Sequence, residues 1–362
     1  MHLQELTLTR FRNYDHYKTS FGAGLQVITG SNGSGKTNLL DAIYLLCIGK
    51  TYFGAGEQHA VQHGQSFFRV EGTFVRAEGS DLVCCTWEQG GQKEFSLNRV
   101  FYQRLADHLG RFPVVVMAPD DIALVNEGSE ERRRLMDATL SQLYPEYLQH
   151  LMAYMRVLAM RNASLKQSAE SGFFDHHLMD ALDAQLVQYG IPVFERRRTV
   201  FGEWIGPIRD YYARLSGEQE DITVEYESAL HLGSFPELLK QQREKDRAAA
   251  RTTGGLHRDD WTLLMNGRPV KRFGSQGQRK CFLLAIKLAQ HRLLARHKGF
   301  APILLLDDVF DKLDPKRVEQ LLDIVSGPDF SQVFITDTQR ERMQQAMAGA
   351  GKEVEYLEIG PR

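Results

Sequence analysis

The sequence predicts an α/β protein in which two α/β segments are separated by a mainly helical insertion. Three observations support this prediction. Short apolar runs typical of buried strands occur in both outer parts of the chain, and helical patterns accompany them. Between residues 129 and 250 the pattern becomes helix-rich and polar on one face. With 362 residues, the chain is long enough for two or three domains of about 150 residues each.

Composition narrows the class of protein. Hydrophobic residues make up 43% of the chain and charged residues 25%, which is typical of a soluble folded protein. No apolar run approaches the ~20 residues that cross a membrane, and the first fifteen residues carry no secretory signal, so we expect a cytoplasmic protein without membrane contact. The four cysteines lack metal-type spacing and are expected to be reduced thiols. Since 44 basic residues nearly cancel 46 acidic ones, any nucleic-acid contact requires a local basic patch.

The first α/β segment is predicted to begin with strands. Leu25–Thr29 is a short β-type run that ends at a glycine. Apolar residues at helical spacing then predict a helix over Lys36–Ile48, with Gly49 as its C-terminal cap. Residues 67–100 are strand-like and punctuated by glycines, and Pro113–Ala118 is apolar throughout, which is typical of a buried strand.

A glycine-rich loop lies between the predicted strand and helix. Its sequence Gly30-Ser31-Asn32-Gly33-Ser34-Gly35-Lys36-Thr37 matches the pattern GxxxxGK[ST]. Glycines allow backbone N–H groups to curl around a phosphate, and the helix N-terminus adds partial positive charge. Lys36 would reach the β- and γ-phosphates of a nucleotide, and the Thr37 hydroxyl would bind Mg²⁺. The alternative is a glycine-rich turn with a chance lysine.

The helical insertion contains two apolar stripes, which predict two antiparallel helices forming a separate lobe. The members of the first stripe are Tyr144, Leu148, Leu151, Met155, Leu158 and Leu165, and those of the second are Leu178, Leu182, Leu186, Tyr189 and Val193. Each stripe lasts only a few turns, which excludes a long coiled-coil arm.

The last segment returns to an α/β pattern. A hairpin is predicted first, with strands Trp261–Met265 and Pro269–Arg272 around a type I′ turn at Asn266-Gly267. A helix beginning at Ser275 and a strand at Ile303–Leu306 follow. The next helix has Asp314 at the N-cap, Pro315 at its first position and Gly327 past its end, and a strand at Gln332–Thr336 comes last. Strand, helix and strand with short connections predict a parallel βαβ unit. We therefore divide the chain into residues 1–128, 129–250 and 251–362.

Two carboxylates follow the Ile303–Leu306 strand. Asp307 is predicted to hold Mg²⁺ through a bound water, and Asp308 could polarise an attacking water. An apolar strand that ends in two solvated aspartates is the alternative. The combination with a phosphate-binding loop 270 residues upstream favours a catalytic role.

The helix that begins at Ser275 has a second possible role. Ser275 and Gln278 have the spacing of a capping box, so an ordinary capped helix explains them. Serine and glycine at a helix N-terminus also suit a γ-phosphate sensor. In an ATPase that works as a sandwich dimer, this helix end would close over the nucleotide of the other subunit.

Taken together, these motifs resemble an ABC-type ATPase of the SMC-like branch and, more specifically, the RecF family over nearly the whole chain. The segments that carry the resemblance are Phe11-Arg12-Asn13-Tyr14, Gly30–Leu40 continuing into Asp41-Ala42-Ile43-Tyr44, Ala118-Pro119-Asp120-Asp121, Arg132-Arg133 before Asp137, His257-Arg258-Asp259-Asp260, Ser275–Gln278, and Phe310-Asp311-Lys312-Leu313-Asp314 as a D-loop. The resemblance implies a P-loop ABC-type ATPase head with a mixed sheet, interrupted by a helical arm lobe.

The resemblance also implies a function in recombinational repair and replication. ATP with Mg²⁺ would join two subunits on duplex DNA at single-strand gaps, and weak, DNA-dependent hydrolysis would release them. Partners would be RecO and RecR, with RecA loading and the SOS response downstream. The implied nucleotide contacts are Gly30 to Thr37, Arg12 and Asn13, with Ser275, Gly277 and Gln278 as the signature and Asp307 and Asp308 for metal and water activation.

The chain departs from the expected patterns at several positions. Asp308 stands where ABC ATPases usually carry glutamate, and its shorter reach fits slow turnover. Thr336-Asp337-Thr338 stands in place of a switch histidine, and no Q-loop glutamine is evident near Pro119. Leu256 replaces an expected proline, and Lys50–Phe53 lacks an expected arginine.

Clusters of basic residues are candidate contacts to DNA phosphates, or else solvated and ion-paired surface. They are Arg132–Arg134, Arg196–Arg198, Lys271-Arg272 and Arg279-Lys280. His257, Asp259 and Asp260 could hold a metal, although a hairpin also explains them. Two other function classes stay open from the residues: a transporter ATPase subunit and a P-loop phosphotransferase.

Overall fold

The computed structural model describes residues 1–54, 56–91, 93–217, 220–310, 313–347 and 354–360. The chain forms two compact units. The head unit comprises Met1–Ile122, Asp210–Gln219 and Ser275–Arg362, and the arm unit comprises Ala123–Arg209 and Glu220–Gly274.

Both units contain strands and helices. The strands are β1 (His2–Phe11), β2 (Tyr14–Ser20), β3 (Gly24–Thr29), β4 (Phe67–Arg76), β5 (Gly79–Glu88), β6 (Glu94–Leu97), β7 (Val100–Phe101), β8 (Val114–Met117), β9 (Ile222–Glu227), β10 (Asp260–Met265), β11 (Arg268–Pro269), β12 (Ile303–Leu306), β13 (Gln332–Asp337) and β14 (Val354–Glu358). The helices are α1 (Lys36–Ile48), α2 (Ala123–Asn126), α3 (Ser129–Leu143), α4 (Pro145–Ser171), α5 (His176–Ser216), α6 (Phe235–Ala249), α7 (Val270–Phe273), α8 (Gln276–Lys298), α9 (Pro315–Val325) and α10 (Arg340–Met347).

The head contains two sheets of opposite character. Five strands in the order β14-β3-β13-β12-β8 pair in parallel, and six strands in the order β2-β1-β4-β5-β6-β7 pair antiparallel. The predicted mixed sheet is thus divided between a parallel and an antiparallel sheet. The continuous apolar run of β12 is buried at every position, as expected for a strand inside a parallel sheet.

Helix α1 is the centre of the head core. Its side chains are buried along almost the whole length, including Lys36 at its start, and Gly49 caps its end in a left-handed conformation as predicted. Residues of both sheets join the same apolar cluster, among them Leu3 and Phe334. The close approach of Gly72, where an added Cβ would lie 2.6 Å from Leu46, shows how tightly α1 packs on β4. The glycine-rich loop therefore leads into a helix that is buried along almost its whole length.

The predicted parallel βαβ unit is present. Helix α9 connects β12 to β13, and these strands pair in parallel. Asp314 caps α9 by accepting the Arg317 N–H, Pro315 follows, and the helix ends before Gly327, as predicted. The carboxyl ends of β3, β12 and β13 therefore meet at one sheet edge, where the candidate site residues lie.

The arm contains more than the two predicted helices. Helices α4 and α5 run antiparallel, since Arg161 bonds Asp183 while Glu146, fifteen residues earlier, meets Arg196. The arm also has a three-stranded sheet in the order β11-β10-β9. Strand β9 was missed because its alternation lasts only six residues within a helix-rich stretch.

The buried faces of α4 and α5 differ from the predicted stripes. Leu158 and Leu165 are buried as expected, but Met155 is 49% exposed and Leu178 is 44% exposed. Helix α5 continues for 41 residues through two internal prolines and buries Trp204, well beyond the predicted stripe. A short apolar pattern therefore underestimated the length of this helix.

The predicted hairpin is confirmed at its turn and shortened in its second strand. Asn266 and Gly267 both have positive φ, as a type I′ turn requires. The second strand contains only Arg268–Pro269, after which the chain forms the single turn α7. Because β10 pairs with β9, residues 251–274 pack with the arm, whereas the predicted division placed them in the last α/β segment.

The four cysteines are free thiols, and three of them are buried. Within the described ranges, no helix combines the length and apolar character needed to cross a bilayer.

Candidate nucleotide-binding site

The glycine-rich loop lies between β3 and α1, where a phosphate-binding loop is expected. Gly33 and Gly35 have φ of +80° and +113°, which side-chain-bearing residues rarely adopt. A Cβ on Gly35 would also lie 2.6 Å from the Asn13 amide nitrogen. The conformation therefore requires glycine at this position, and a Cβ there would also displace the Asn13 side chain.

Lys36 folds back over the loop. Its Nζ donates to the carbonyl oxygens of Gly30 at 2.9 Å and Ser31 at 3.1 Å, and the side chain is buried. Both acceptors are neutral, so within the part of the chain that the structure describes the ammonium is held in place without a bonded carboxylate. A cation so placed would gain most from an anionic group inside the loop.

The Ser34 hydroxyl gives a direct test of whether the loop fits a phosphate. Ser34 is 2% exposed, and its Oγ has no hydrogen-bond partner among the described residues. An unsatisfied buried polar atom costs about 1–3 kcal/mol, and native proteins retain few of them. An acceptor oxygen in the loop would satisfy this hydroxyl, so the residues present fit a nucleotide phosphate.

Asn13 and Tyr14 support the loop from strand β2 and the turn before it. The Asn13 amide donates to the Ser34 carbonyl at 2.9 Å, and the Tyr14 hydroxyl donates to the Gly35 carbonyl at 3.1 Å. Arg12 points elsewhere: its Nη2 lies 2.5 Å from the Asp41 carboxylate and also donates to the Phe53 carbonyl. Of the two residues predicted beside the nucleotide, Asn13 is in contact with the loop, and Arg12 is paired with helix α1.

Thr37 and Asp307 meet at the sheet edge. The Thr37 hydroxyl lies 3.0 Å from both carboxylate oxygens of Asp307, although 270 residues separate them. Burial raises the pKa of Asp307, and hydrogen bonds from Thr336 and Thr37 oppose that rise. Among the described residues no cluster of three or more His, Cys, Asp or Glu could hold a metal alone. A hydroxyl and a carboxylate suit Mg²⁺, which usually completes its octahedron with phosphate and water oxygens.

Asp308 and Thr336 form the second part of this edge. The Thr336 hydroxyl donates to Asp307 Oδ1 at 2.8 Å and accepts the Asp308 N–H at 2.9 Å. Asp308 has a φ of +45°, a left-handed conformation that costs a residue with a side chain about 1 kcal/mol. Sequence reasoning recorded Thr336 only as the lack of a switch histidine and missed that its hydroxyl holds both aspartates.

The signature residues lie at the start of α8. The Ser275 hydroxyl accepts the Gln278 N–H at 3.2 Å, and the Gln278 side chain accepts the Ser275 N–H at 2.7 Å, so the predicted capping box is confirmed. Gly277 lies beneath Arg317 of α9, because a Cβ there would lie 2.1 Å from its guanidinium. Ser275 itself is exposed on the protomer. In the predicted D-loop, Asp311 and Lys312 lie outside the described residues.

Most arginines of the candidate basic clusters have acidic partners in the arm. Arg132 forms two bonds with Asp260, Arg134 pairs with two glutamates, and Arg197 pairs with Asp137 and Asp259. His257 bonds Tyr154 and the Thr252 carbonyl instead of joining its aspartate neighbours. Lys271 and Arg272 differ, because they are exposed and have no ion pair among the described residues.

Comparison with known proteins identifies the family. Residues 2–355 match the RecF/RecN/SMC N-terminal domain family. DNA replication and repair protein RecF of Flavobacterium johnsoniae is 38% identical over 344 residues, covering 95% of this chain and 96% of that protein. The RecF of Bacteroides fragilis is 36% identical and covers 99% and 96%. This chain belongs to the RecF family of DNA replication and repair proteins.

Solved structures agree with this assignment. A structure of the recombination mediator protein RecF with ATP, from the RecFOR pathway, is 29% identical and covers 93% of this chain and 92% of that one, with a TM-score of 0.85. A RecF-ATPrS structure has a TM-score of 0.86 at 28% identity, covering 94% and 93%. An SMC head bound to part of ScpA, at 16% identity, 96% and 92% coverage and a TM-score of 0.57, resembles the fold alone. The match to RecF favours DNA repair over the transporter and phosphotransferase alternatives.

Proposed function

We propose that this protein binds ATP with Mg²⁺ at Gly30–Thr37 and that the bound nucleotide joins two protomers on duplex DNA. The observation that carries the proposal is the loop itself: among the described residues, the buried Lys36 has no bonded carboxylate and the buried Ser34 hydroxyl has no hydrogen-bond partner. Both features suit a triphosphate, and a related RecF of known structure is an ATP complex.

Within the site, each residue has a distinct role. Lys36 and the loop amides orient the phosphates, while Ser34 donates to a phosphate oxygen. Thr37 and Asp307 would hold Mg²⁺, Asp307 through a water, and the ion would supply positive charge to the phosphate oxygens. Asn13 would lie beside the nucleotide while it braces the loop. We include Arg12 as a weaker contact, since Asp41 holds its guanidinium.

Asp308 is the proposed general base for hydrolysis. It would orient and deprotonate the attacking water, while Thr336 fixes its backbone. A carboxylate one methylene shorter than glutamate reaches the water less readily. Slow, weak turnover follows from this geometry, and we propose that DNA binding modulates it and that hydrolysis releases the dimer from DNA.

Ser275, Gly277 and Gln278 are the proposed contacts in trans. Their helix N-terminus carries partial positive charge, and Ser275 is exposed on the protomer. Placed against the γ-phosphate of a second protomer, this helix end would complete the site there. ATP binding would then hold the two copies together.

Duplex DNA and single-strand gap junctions are the proposed substrates of the dimer. The name shared by the relatives and the RecFOR pathway of the structural neighbours support this proposal. RecO and RecR are the proposed direct partners and RecA loading the outcome, in the cytoplasm, during replication and the SOS response. With a net charge of only −2, DNA affinity must depend on local contacts and weaken with salt.

Sedimentation velocity, with and without ATP and duplex DNA, tests the proposal. We expect the wild type to become dimeric with ATP. Ser275→Arg should still bind ATP as a monomer but should not dimerise, because a bulky cation would occupy the contact in trans. Ser234→Arg is the matched control, since Ser234 also caps a helix, α6, from its side chain but lies in the arm. A monomeric ATP-bound wild type, or equal loss in both variants, would contradict the proposal.

A further inference from the structure

Two segments of the head meet: Lys50–Phe53 and Ala118–Asp121. The sequence alone assigned neither of them a function. The Tyr52 hydroxyl donates to one carboxylate oxygen of Asp121. The other oxygen lies 3.0 Å from Lys287 Nζ on helix α8. Tyr52 therefore contacts the signature helix through one intervening carboxylate.

Lys287 is anchored firmly on its side of this contact. Its side chain is 5% exposed, and besides Asp121 it donates to the Val116 carbonyl at 2.8 Å. Lys287 lies eleven residues after Gln276, which corresponds to about 17 Å along the helix. A buried cation held by a carboxylate and a strand carbonyl fixes how α8 sits along β8. Ser275 caps the start of the helix that this anchor holds.

The other end of the contact reaches the phosphate-binding loop. The Tyr52 N–H donates to Asp41 Oδ1 at 2.7 Å, and Asp41 is fully buried on α1. The second oxygen of Asp41 lies 2.5 Å from Arg12 Nη2. Arg12 directly precedes Asn13, which bonds the loop. Polar contacts thus run from Arg12 through Asp41, Tyr52 and Asp121 to Lys287, and the backbone joins Arg12 to Asn13 at the loop.

We propose that Tyr52 is a positioning residue that couples ATP at the phosphate loop to the orientation of the signature helix in the same protomer. The proposal rests on the proposed function, since it takes ATP as the ligand and α8 as the helix that reaches the second copy. Tyr52 is the link to test because its hydroxyl can be removed without removing a charge. A hydrogen-bond network couples two sites only if breaking one of its contacts changes how the second site responds to a ligand at the first. This change can be measured.

The experiment is amide hydrogen exchange, read by mass spectrometry on peptides of the loop and of α8. Ser275→Arg is present in every protein, so that α8 is not protected by a dimer contact. Tyr52→Phe is compared with Tyr44→Phe, whose ring packs edge-on against Tyr52 at 5.0 Å and loses the same atom. We expect ATP to slow exchange in the loop of all three proteins. In α8, ATP should slow exchange at least threefold in the parent and in Tyr44→Phe but not in Tyr52→Phe.

A second comparison needs no nucleotide. Without ATP, the Tyr52→Phe protein should exchange its amide hydrogens severalfold faster than the parent in α8 between Ser275 and Lys287. The Tyr44→Phe protein should exchange at the rate of the parent. Equal exchange in the two variants, or an α8 response to ATP that survives Tyr52→Phe, overturns the role of Tyr52. If ATP protects neither loop nor helix, the proposed function fails and the coupling to ATP fails with it, while the nucleotide-free comparison still decides whether the Tyr52 hydroxyl positions α8.

Discussion

Buried polar side chains occur in both the arm and the head, but they have different partners. In the arm, Arg161 is fully buried and bonds Asp183 and Asp246 at 2.6 Å each. In the head site, Lys36 is held by two carbonyls, and Asp307 accepts hydrogen bonds from two threonine hydroxyls. The buried arginine of the arm is therefore paired with carboxylates within the fold, whereas Lys36 and Asp307 have no directly bonded opposite charge among the described residues.

This difference separates scaffold from site. A buried ion pair balances its own desolvation and has little to offer a ligand. A buried charge that is positioned by neutral groups retains its capacity to bind an opposite charge. Arginine clusters in the sequence therefore indicate scaffold when carboxylates accompany them, and most clusters of the arm are of this kind.

The largest effect is expected from removing a buried ion pair of the arm. Arg161→Met should lower the free energy of unfolding by about 3–5 kcal/mol, because buried Asp246 loses its ion-pair partner and Asp183 is left with Arg243. Thermal and denaturant unfolding measure this. Arg134→Met, at an exposed arginine with two glutamate partners, should change stability by less than about 1 kcal/mol. Comparable losses in the two variants would remove the distinction between buried and exposed pairs.

Lys36→Met tests the site side. Loss of charge-assisted bonds to the phosphates, worth about 3 kcal/mol, should weaken ATP binding about 100-fold. Stability without nucleotide should change little by comparison with Arg161→Met, since the hydrogen-bond partners of Lys36 among the described residues are carbonyls. Titration calorimetry and unfolding of the same samples give both values. Unchanged ATP affinity would show that the loop does not hold the phosphates.

The sequence predicted the head better than the arm, and the reason is physical. The ends of α1, α8 and α9 follow local rules of glycine, serine and aspartate capping, so their starts and caps were placed within a residue. Strand β9 and the buried face of α4 depend on which distant residues pack against them. Met155 fits the helical period and is nevertheless exposed, because tertiary packing decides the buried face.

The candidate site shows the same division. The loop Gly30–Thr37 and the pair Asp307-Asp308 could be predicted because each is a contiguous motif. The contact between Thr37 and Asp307 agrees with that prediction, while the nucleotide contacts stay a prediction. No local motif encodes the side-chain contacts of Thr336, Tyr52 and Asp121, since Thr336 bonds Asp308 across 28 residues and Tyr52 bonds Asp121 across 69. Only Ala118–Asp121 carried a signal, through its resemblance to the family.

Thr336→Val removes the hydroxyl that bonds both aspartates of the candidate site. Removing it leaves the Asp308 N–H and one Asp307 oxygen without this partner, so the left-handed conformation of Asp308 is less well fixed. We expect ATP hydrolysis to fall about tenfold, or roughly 1.4 kcal/mol, with ATP affinity nearly unchanged. Single-turnover hydrolysis measures this. Thr336→Ser restores the hydroxyl and should recover most of the rate, and equal loss in both variants would assign the effect to packing.

Exposed charges without partners should matter for DNA, and paired ones should not. Changing both Lys271 and Arg272 to Glu should lower the slope of log affinity against log salt by about two, one for each lost phosphate contact. Changing both Arg134 and Arg198 to Glu alters the net charge equally but acts at ion-paired positions. Fluorescence anisotropy with duplex DNA compares them. The same reduction for both pairs would mean that net charge, and not pairing, governs DNA binding.

The smallest expected effect is the pH dependence of Asp307 in nucleotide-free protein. Burial raises the pKa of Asp307 above its ordinary value of 3.8. At a pH between 3.8 and the raised pKa, the folded state therefore binds more protons than the unfolded chain. The free energy of unfolding contributed by this group therefore falls as the pH rises through that window and stays low at pH 7. Asp307→Asn should be slightly more stable than the wild type at pH 7, and the gain should vanish below pH 3.8. Asp246→Asn, which weakens the pair with Arg161, should instead be less stable at pH 7. Opposite changes in stability would indicate that the Asp307 carboxylate serves a ligand and the Asp246 carboxylate serves the fold. A loss of stability in both variants would instead group Asp307 with the structural ion pairs.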